Sequence, residues 1–426
     1  MTKTAPLLFY ERMPAPGVVF GCLLPVPWVG AAVGLLLALG PVDGLPDRFA
    51  PLALALAHAL AVGMLLPAML GALFQLFPVA AGVPVPAARW VSPCVAATCV
   101  ATAAALGAGF LGVGRAAFAL AAWFGAPLLA IPAVLLVLAG RRVAGTHATT
   151  RTLRWIGSAL LFTLASGATL ATVLGLGMFA PSATLLDLHV GWGLGGWLAT
   201  LVAGVASTVL PMFWQTRRWP ARWQRWLPAW LWAPLLLGSV IGWRGHALWL
   251  WWQGWGWLAL GALSAAGVLA VGGARRRHDP AWPLWLAATG AWLAVAVLGF
   301  AVRWLPPGWP VAWWMGTLAL VGGGVLPVNA MLGKIVPFMV WMHLRRRVPK
   351  HMRLPAMQTL IGERQQRWHA RLLLLALAAV LLVPLQPSAL APLAGALFTL
   401  SQVWLGVQLC RALLIFRRVS RAFARG

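Results

Sequence analysis

Two histidines open long apolar runs in this chain. His58 begins the stretch His-Ala-Leu-Ala-Val-Gly-Met that ends at Leu-Phe-Pro78, and His189 begins His-Val-Gly-Trp-Gly-Leu-Gly-Gly-Trp, which ends at Val-Leu-Pro211. A neutral imidazole offers a nitrogen lone pair to a metal ion, and a polar ring inside an apolar span is a functional candidate by default. A third run, from Met315 through Gly322-Gly-Gly to Ile-Val-Pro337, has the same layout, with Trp314-Met315 in the histidine's place. The three read as copies of one unit.

Further residues join the candidate set. His246 lies on the same side as His58 and His189, though its neighbour Arg244 favours a plain loop role. Met64, Met69 and Met315 are soft donors suited to Cu(I), against the commoner role of methionine as core filler. Asp187, two residues before His189, is placed to orient the ring through its second nitrogen or to cap a helix start. Lys334 falls inside the third apolar run, where snorkelling to the surface is the plain reading. His343 lies 28 residues beyond Met315, about 42 Å along a helix, against a hydrocarbon core of about 30 Å. It shares a site with His58 only if that helix is broken, for which Gly322-Gly-Gly and Pro327 offer a place. A shallow intramembrane histidine also has the simpler option of hydrogen bonding a neighbouring helix.

The elements that carry these residues follow from composition. The 426-residue chain is 62% hydrophobic and 9% charged, whereas soluble domains carry about 25% charge. It reads as an all-α, polytopic membrane protein forming a single transmembrane domain over 1–426, without a cleavable signal. Apolar runs of membrane-spanning length lie near 17–40, 50–77, 92–113, 117–139, 154–178, 185–213, 227–243, 247–272, 281–304, 310–341, 370–385 and 388–415. That makes about twelve spans, with a threefold-like repeat centred on the second, sixth and tenth.

The net charge of +26 would suggest nucleic acid in a soluble protein. Here the arginines sit in short loops after even-numbered spans: Arg141 and Arg142, Arg217 to Arg225, Arg275 to Arg277, the block from Arg345 to Arg371, and the tail. The positive-inside rule then puts both termini in the cytoplasm, with His58, His189 and His246 toward the outer side, and makes nucleic acid a poor partner. The 28 tryptophans cluster at span ends, as interfacial anchors do; an aromatic wall around a flat cofactor has the same appearance. Cys22, Cys94, Cys99 and Cys410 show no metal or redox spacing and read as free thiols.

Twelve spans, cytoplasmic termini and histidines on two of three repeated helices resemble subunit I of the haem–copper oxidases. The chain is also similar to shorter relatives, including NnrS-type haem- and copper-containing membrane proteins. The resemblance implies a haem-ligating role for His58 and a copper- or haem-side role for His189. The departures are equally specific. Tyr10 is the sole tyrosine, the seventh span has no His-His pair, the tenth has no His-x-His, and no carboxylate lies deep in a span. A complete binuclear centre cannot be assembled from these residues. The expectation is a bacterial inner-membrane protein that binds haem, copper or both. Its role would be nitric oxide response, electron transfer or metal handling, with a respiratory or electron-transfer protein as partner. Two other classes fit less well: a secondary transporter, supported by the repeats and the glycine- and proline-interrupted spans, and a non-catalytic accessory or assembly subunit.

Overall fold

The computed structural model describes residues 8–178, 182–241, 246–347 and 356–424. Among these residues the chain is helical, with no strand. The membrane-length helices are α1 (Pro16–Leu39), α2 (Pro51–Ala81), α3 (Ala88–Phe110), α4 (Ala116–Gly140), α5 (Ala148–Leu176) and α6 (Ala183–Trp214). After α7 (Ala229–Ile241) and α8 (His246–Gly272) come α9 (Trp282–Trp304), α10 (Val311–Arg346), α11 (Glu363–Leu385) and α12 (Pro387–Val419). Eleven are long and apolar enough to cross a bilayer. The segment expected to be the seventh span is a helix of only 13 residues among the described ones, about 20 Å at 1.5 Å per residue.

Neighbouring helices pack as hairpins, α4 on α5, α8 on α9 and α11 on α12, while α12 returns to lie along α1. Glycine makes that last contact possible. A side chain at Gly395 would stand 2.4 Å from the carbonyl oxygen of Gly34, so the first and last helices touch backbone to backbone and close the bundle. Around the outside, Leu120, Phe124, Leu128, Leu258, Leu269 and Val297 are exposed. Apolar side chains on an outer helical surface suit lipid, so the protein meets the bilayer there.

The repeated helices occupy the middle. In α2, α6 and α10 between 56 and 67% of the apolar window is buried, against 22 to 50% in the others. Each carries a π-helical segment in its first half: Ala59–Leu65, Gly191–Ala199 and Leu318–Val325. A fourth, Ala121–Gly125, lies in α4. Leu65, Leu198 and Gly324 each stand thirteen residues before the proline of their own helix, Pro78, Pro211 or Pro337. They also meet in space. A Cβ at Gly324 would be 2.8 Å from Leu65 Cδ1 and 3.3 Å from Leu198 Cδ2, so equivalent residues of three repeats converge on one point. Gly322-Gly-Gly therefore does not break α10; it lets the helix widen into a π turn and approach its two counterparts.

A π turn redirects backbone carbonyls away from the regular i+4 amide, and two of these find indole donors. Trp232 Nε1 of α7 donates to Gly196 O at 3.1 Å, and Trp292 Nε1 of α9 donates to Gly323 O at 3.2 Å. The tryptophans thus divide into buried donors such as these and exposed rings such as Trp90, Trp304 and Trp309. The basic loops gather at one end. Arg151 Nη1 donates to Arg225 O at 2.7 Å, Arg276 N to Trp214 O at 3.2 Å, and Arg346 donates to Tyr10 O. Half-buried at that end, the Tyr10 hydroxyl has its pKa raised by desolvation.

Candidate metal centre

His58 is the residue on which the π segment of α2 begins, and His189 lies two residues before that of α6. The two widened turns bring the rings together from helices far apart in sequence. Their centroids are 6.3 Å apart and their planes differ by 10°. Both rings are half-buried, and Phe110 of α3 lies against His58 at 4.9 Å between centroids.

Each ring is held by one nitrogen. His58 Nδ1 is 2.8 Å from Leu54 O one turn back, and because a carbonyl only accepts, Nδ1 carries the proton. His189 Nδ1 is 3.2 Å from Ser166 Oγ of α5. The single Ser166 hydroxyl proton is engaged with the carbonyls of Phe162 (2.8 Å) and Thr163 (3.1 Å), so His189 Nδ1 donates to Ser166. Both Nε2 atoms are thereby left as lone-pair donors, the arrangement that fixes a ligating imidazole.

The spacing fits one metal ion between them. Imidazole nitrogen binds first-row metals at about 2.0–2.1 Å. Ring bonds near 1.33 Å put each nitrogen about 1.15 Å from its ring centre. Two such ligands on opposite sides of one ion have centroids about 6.4 Å apart, close to the 6.3 Å observed. Gly167, next to Ser166, makes room: a Cβ there would lie 2.8 Å from His189 Cε1 and 3.3 Å from Nδ1.

The other candidates are placed elsewhere. Met64 is fully buried, with its methyl against Gly30 of α1, and Met69 is likewise core. Met315 is half-buried, packed against the core three residues ahead of the α10 π segment. His246 opens α8, but its side chain lies outside the described residues. His343 is buried near the far end of an unbroken α10. Asp187 is half-buried on the helical turn before His189, whose Nδ1 is taken by Ser166. Lys334 does not snorkel free: its Nζ is 2.6 Å from Asp279 Oδ2, with both side chains under a fifth exposed. Among the described residues no three histidine, cysteine or acidic side chains gather around one point. Ser166, Gly167 and Phe110 escaped the sequence reading. The small Ser166-Gly167 step was the signal available for the first two, but α5 carries another such pair at Gly157-Ser158.

Fold and site together define a multi-pass, all-α membrane protein with a paired histidine site between two central helices. The chain matches no protein-family model and no curated protein.

Proposed function

We propose that this protein binds one redox-active metal centre between His58 and His189 and serves in one-electron transfer. The observation that carries the reading is the 6.3 Å separation of two nearly parallel imidazoles whose Nδ1 atoms are both engaged. The protein offers two neighbouring imidazoles and, among the described residues, no group of three histidine, cysteine or acidic side chains. Haem, which needs few ligands from the protein, would suit that donor set, and Cu(I) is the other centre that two imidazoles would hold.

His58 and His189 would hold the group through their Nε2 atoms, and a centre held in this way would supply one-electron transfer. The resemblance to haem–copper oxidases is in keeping with this reading, with the binuclear chemistry absent. The setting we propose is a bacterial inner membrane, with the arginine-rich end and both termini in the cytoplasm and a respiratory or electron-transfer protein as redox partner.

The test is the absorbance spectrum and metal content of full-length protein from haem- and copper-replete cells. A low-spin haem spectrum, lost in His58→Ala and in His189→Ala, is the expected result. Copper without haem would assign the ion differently while leaving the pair as its ligands. Colourless, metal-free protein would overturn the reading and bring the transporter forward.

A further inference from the structure

At the arginine-rich end of the bundle, far along α10 from the histidine pair, the interior becomes polar. A small chamber there is lined by Asn329 and Gly333 of α10, Gln365, Gln366 and His369 of α11, and Gln408 of α12. His369 is 5% exposed and Asn329 1%. The His369 Nε2 and Asn329 Oδ1 atoms are buried without a protein hydrogen-bond partner. Leaving two such groups dry costs about 1–3 kcal/mol each, which a bound polar molecule would offset.

Size and chemistry identify that molecule. The chamber offers about 20 Å³ for the centre of a water-sized sphere, above the ~10–15 Å³ that one water needs on the same measure. No carboxylate lines the chamber to hold a metal cation. Gly333 faces open space, with nothing within 4 Å of a Cβ built there.

The polar lining continues inward. Asn329 Nδ2 donates to Gln402 Oε1 at 3.1 Å, and Gln402 is fully buried. A Cβ at Gly30 would meet both Gln402 and Met64 at about 3 Å, and Met64 belongs to the π segment of α2. Amide groups therefore lead from the chamber to the central helices through an otherwise apolar interior. Buried polar side chains in a membrane bundle mark ion or proton pathways more often than they add stability.

We propose that this chamber is a second functional site: a water-binding proton port, in which an incoming proton reaches the bound water, the water passes one proton to His369 Nε2, and the protonated ring returns it to that water. The proton enters from the basic end and can travel by the water toward Asn329 and Gln402. Charged side chains also lie on the elements that line the chamber. Lys334 is paired with Asp279 and Arg367 with Glu363. Arg364 and Arg371 on α11 and Arg411 on α12 are permanent cations. This inference does not depend on the metal centre.

The test uses full-length protein with ¹⁵N-labelled histidine in lipid nanodiscs, with the His369 signal assigned by its loss in His369→Asn. Water-to-ring magnetisation transfer should reach His369 in the wild type, and its ring shifts should change reversibly between pH 4 and 8. Gly333→Leu, which fills the chamber, should cut that transfer at least threefold while leaving exposed His147 and His278 unchanged. Absence of transfer in the wild type, shifts that stay fixed across that range, or wild-type behaviour in folded Gly333→Leu would each overturn the proposal. The wild-type measurements decide it even if Gly333→Leu fails to fold.

Discussion

Replacing Gly167 by alanine tests the histidine pair without removing a ligand. The new Cβ would stand 2.8 Å from His189 Cε1 and 3.3 Å from Nδ1, whereas carbon atoms in contact prefer about 3.5–4.0 Å. The ring must therefore move by about 0.7 Å or more. Metal-site geometry tolerates only ~0.5 Å, and the same shift stretches the hydrogen bond to Ser166. Loss of such an orienting contact typically costs 10–100-fold in metal affinity. Cofactor per polypeptide should fall by that order when the purified variant is titrated with haem or copper. Gly107→Ala on α3 is the control, since nothing lies within 4 Å of its Cβ, and alanine in a helix should raise stability by roughly 0.4–1 kcal/mol. Gly167→Ala protein that folds, binds cofactor as tightly as wild type and shows an unchanged spectrum would refute the assignment of His189.

Other expected outcomes follow from the same contacts. His343→Ala should leave cofactor content unchanged, read by absorbance, because the ring lies at the other end of a continuous α10. Trp292→Phe should lower stability by about 1–3 kcal/mol, since the buried Gly323 carbonyl loses its donor; thermal unfolding in detergent measures it. Asp279→Asn should cost about 3 kcal/mol by stranding Lys334, and the double variant with Lys334→Met should recover part of that loss. Reporter fusions after Arg142, Arg225 and Arg277 should all report cytoplasm; a periplasmic signal at any of them would reverse the orientation.

Much of this architecture was legible from apolar run length, because a helix that must cross about 30 Å of hydrocarbon has to be long and apolar. The place of α2, α6 and α10 at the centre was also readable, from the shared spacing of Pro78, Pro211 and Pro337. What was not readable is the π widening. Its signal is glycine at Gly191, Gly193, Gly195 and Gly196 and at Gly322 to Gly324, and glycine in a membrane helix equally marks close packing or a break. The Lys334–Asp279 pair was hidden for another reason: 55 residues separate the partners, and no local rule joins a loop carboxylate to a helix lysine. Ser166 was invisible because α5 meets α6 only in the folded bundle.

The repetition of the three central helices accounts for a pair of histidines in the proposed site. Leu65, Leu198 and Gly324 meet at one point, so the three π segments converge at their ends. About two turns before that point, α2 carries His58 and α6 carries His189, and the matching stretch of α10 carries Trp314-Met315. Trp314 is not turned inward to replace a histidine, because its Nε1 donates to Leu381 O of α11 at 3.0 Å, and Met315 packs into the core. A third imidazole at this level would have permitted a three-coordinate copper site with an open edge. Without it there is a pair of imidazoles, in keeping with the electron-transfer role proposed above. Met315→His should therefore change the chemistry more than any loss-of-ligand variant. If the repeat argument holds, the variant gains a third nitrogen near the pair and, in metal titration, takes up copper more tightly than wild type. Unchanged copper affinity in a folded Met315→His protein would show that the three helices do not present equivalent positions to one site.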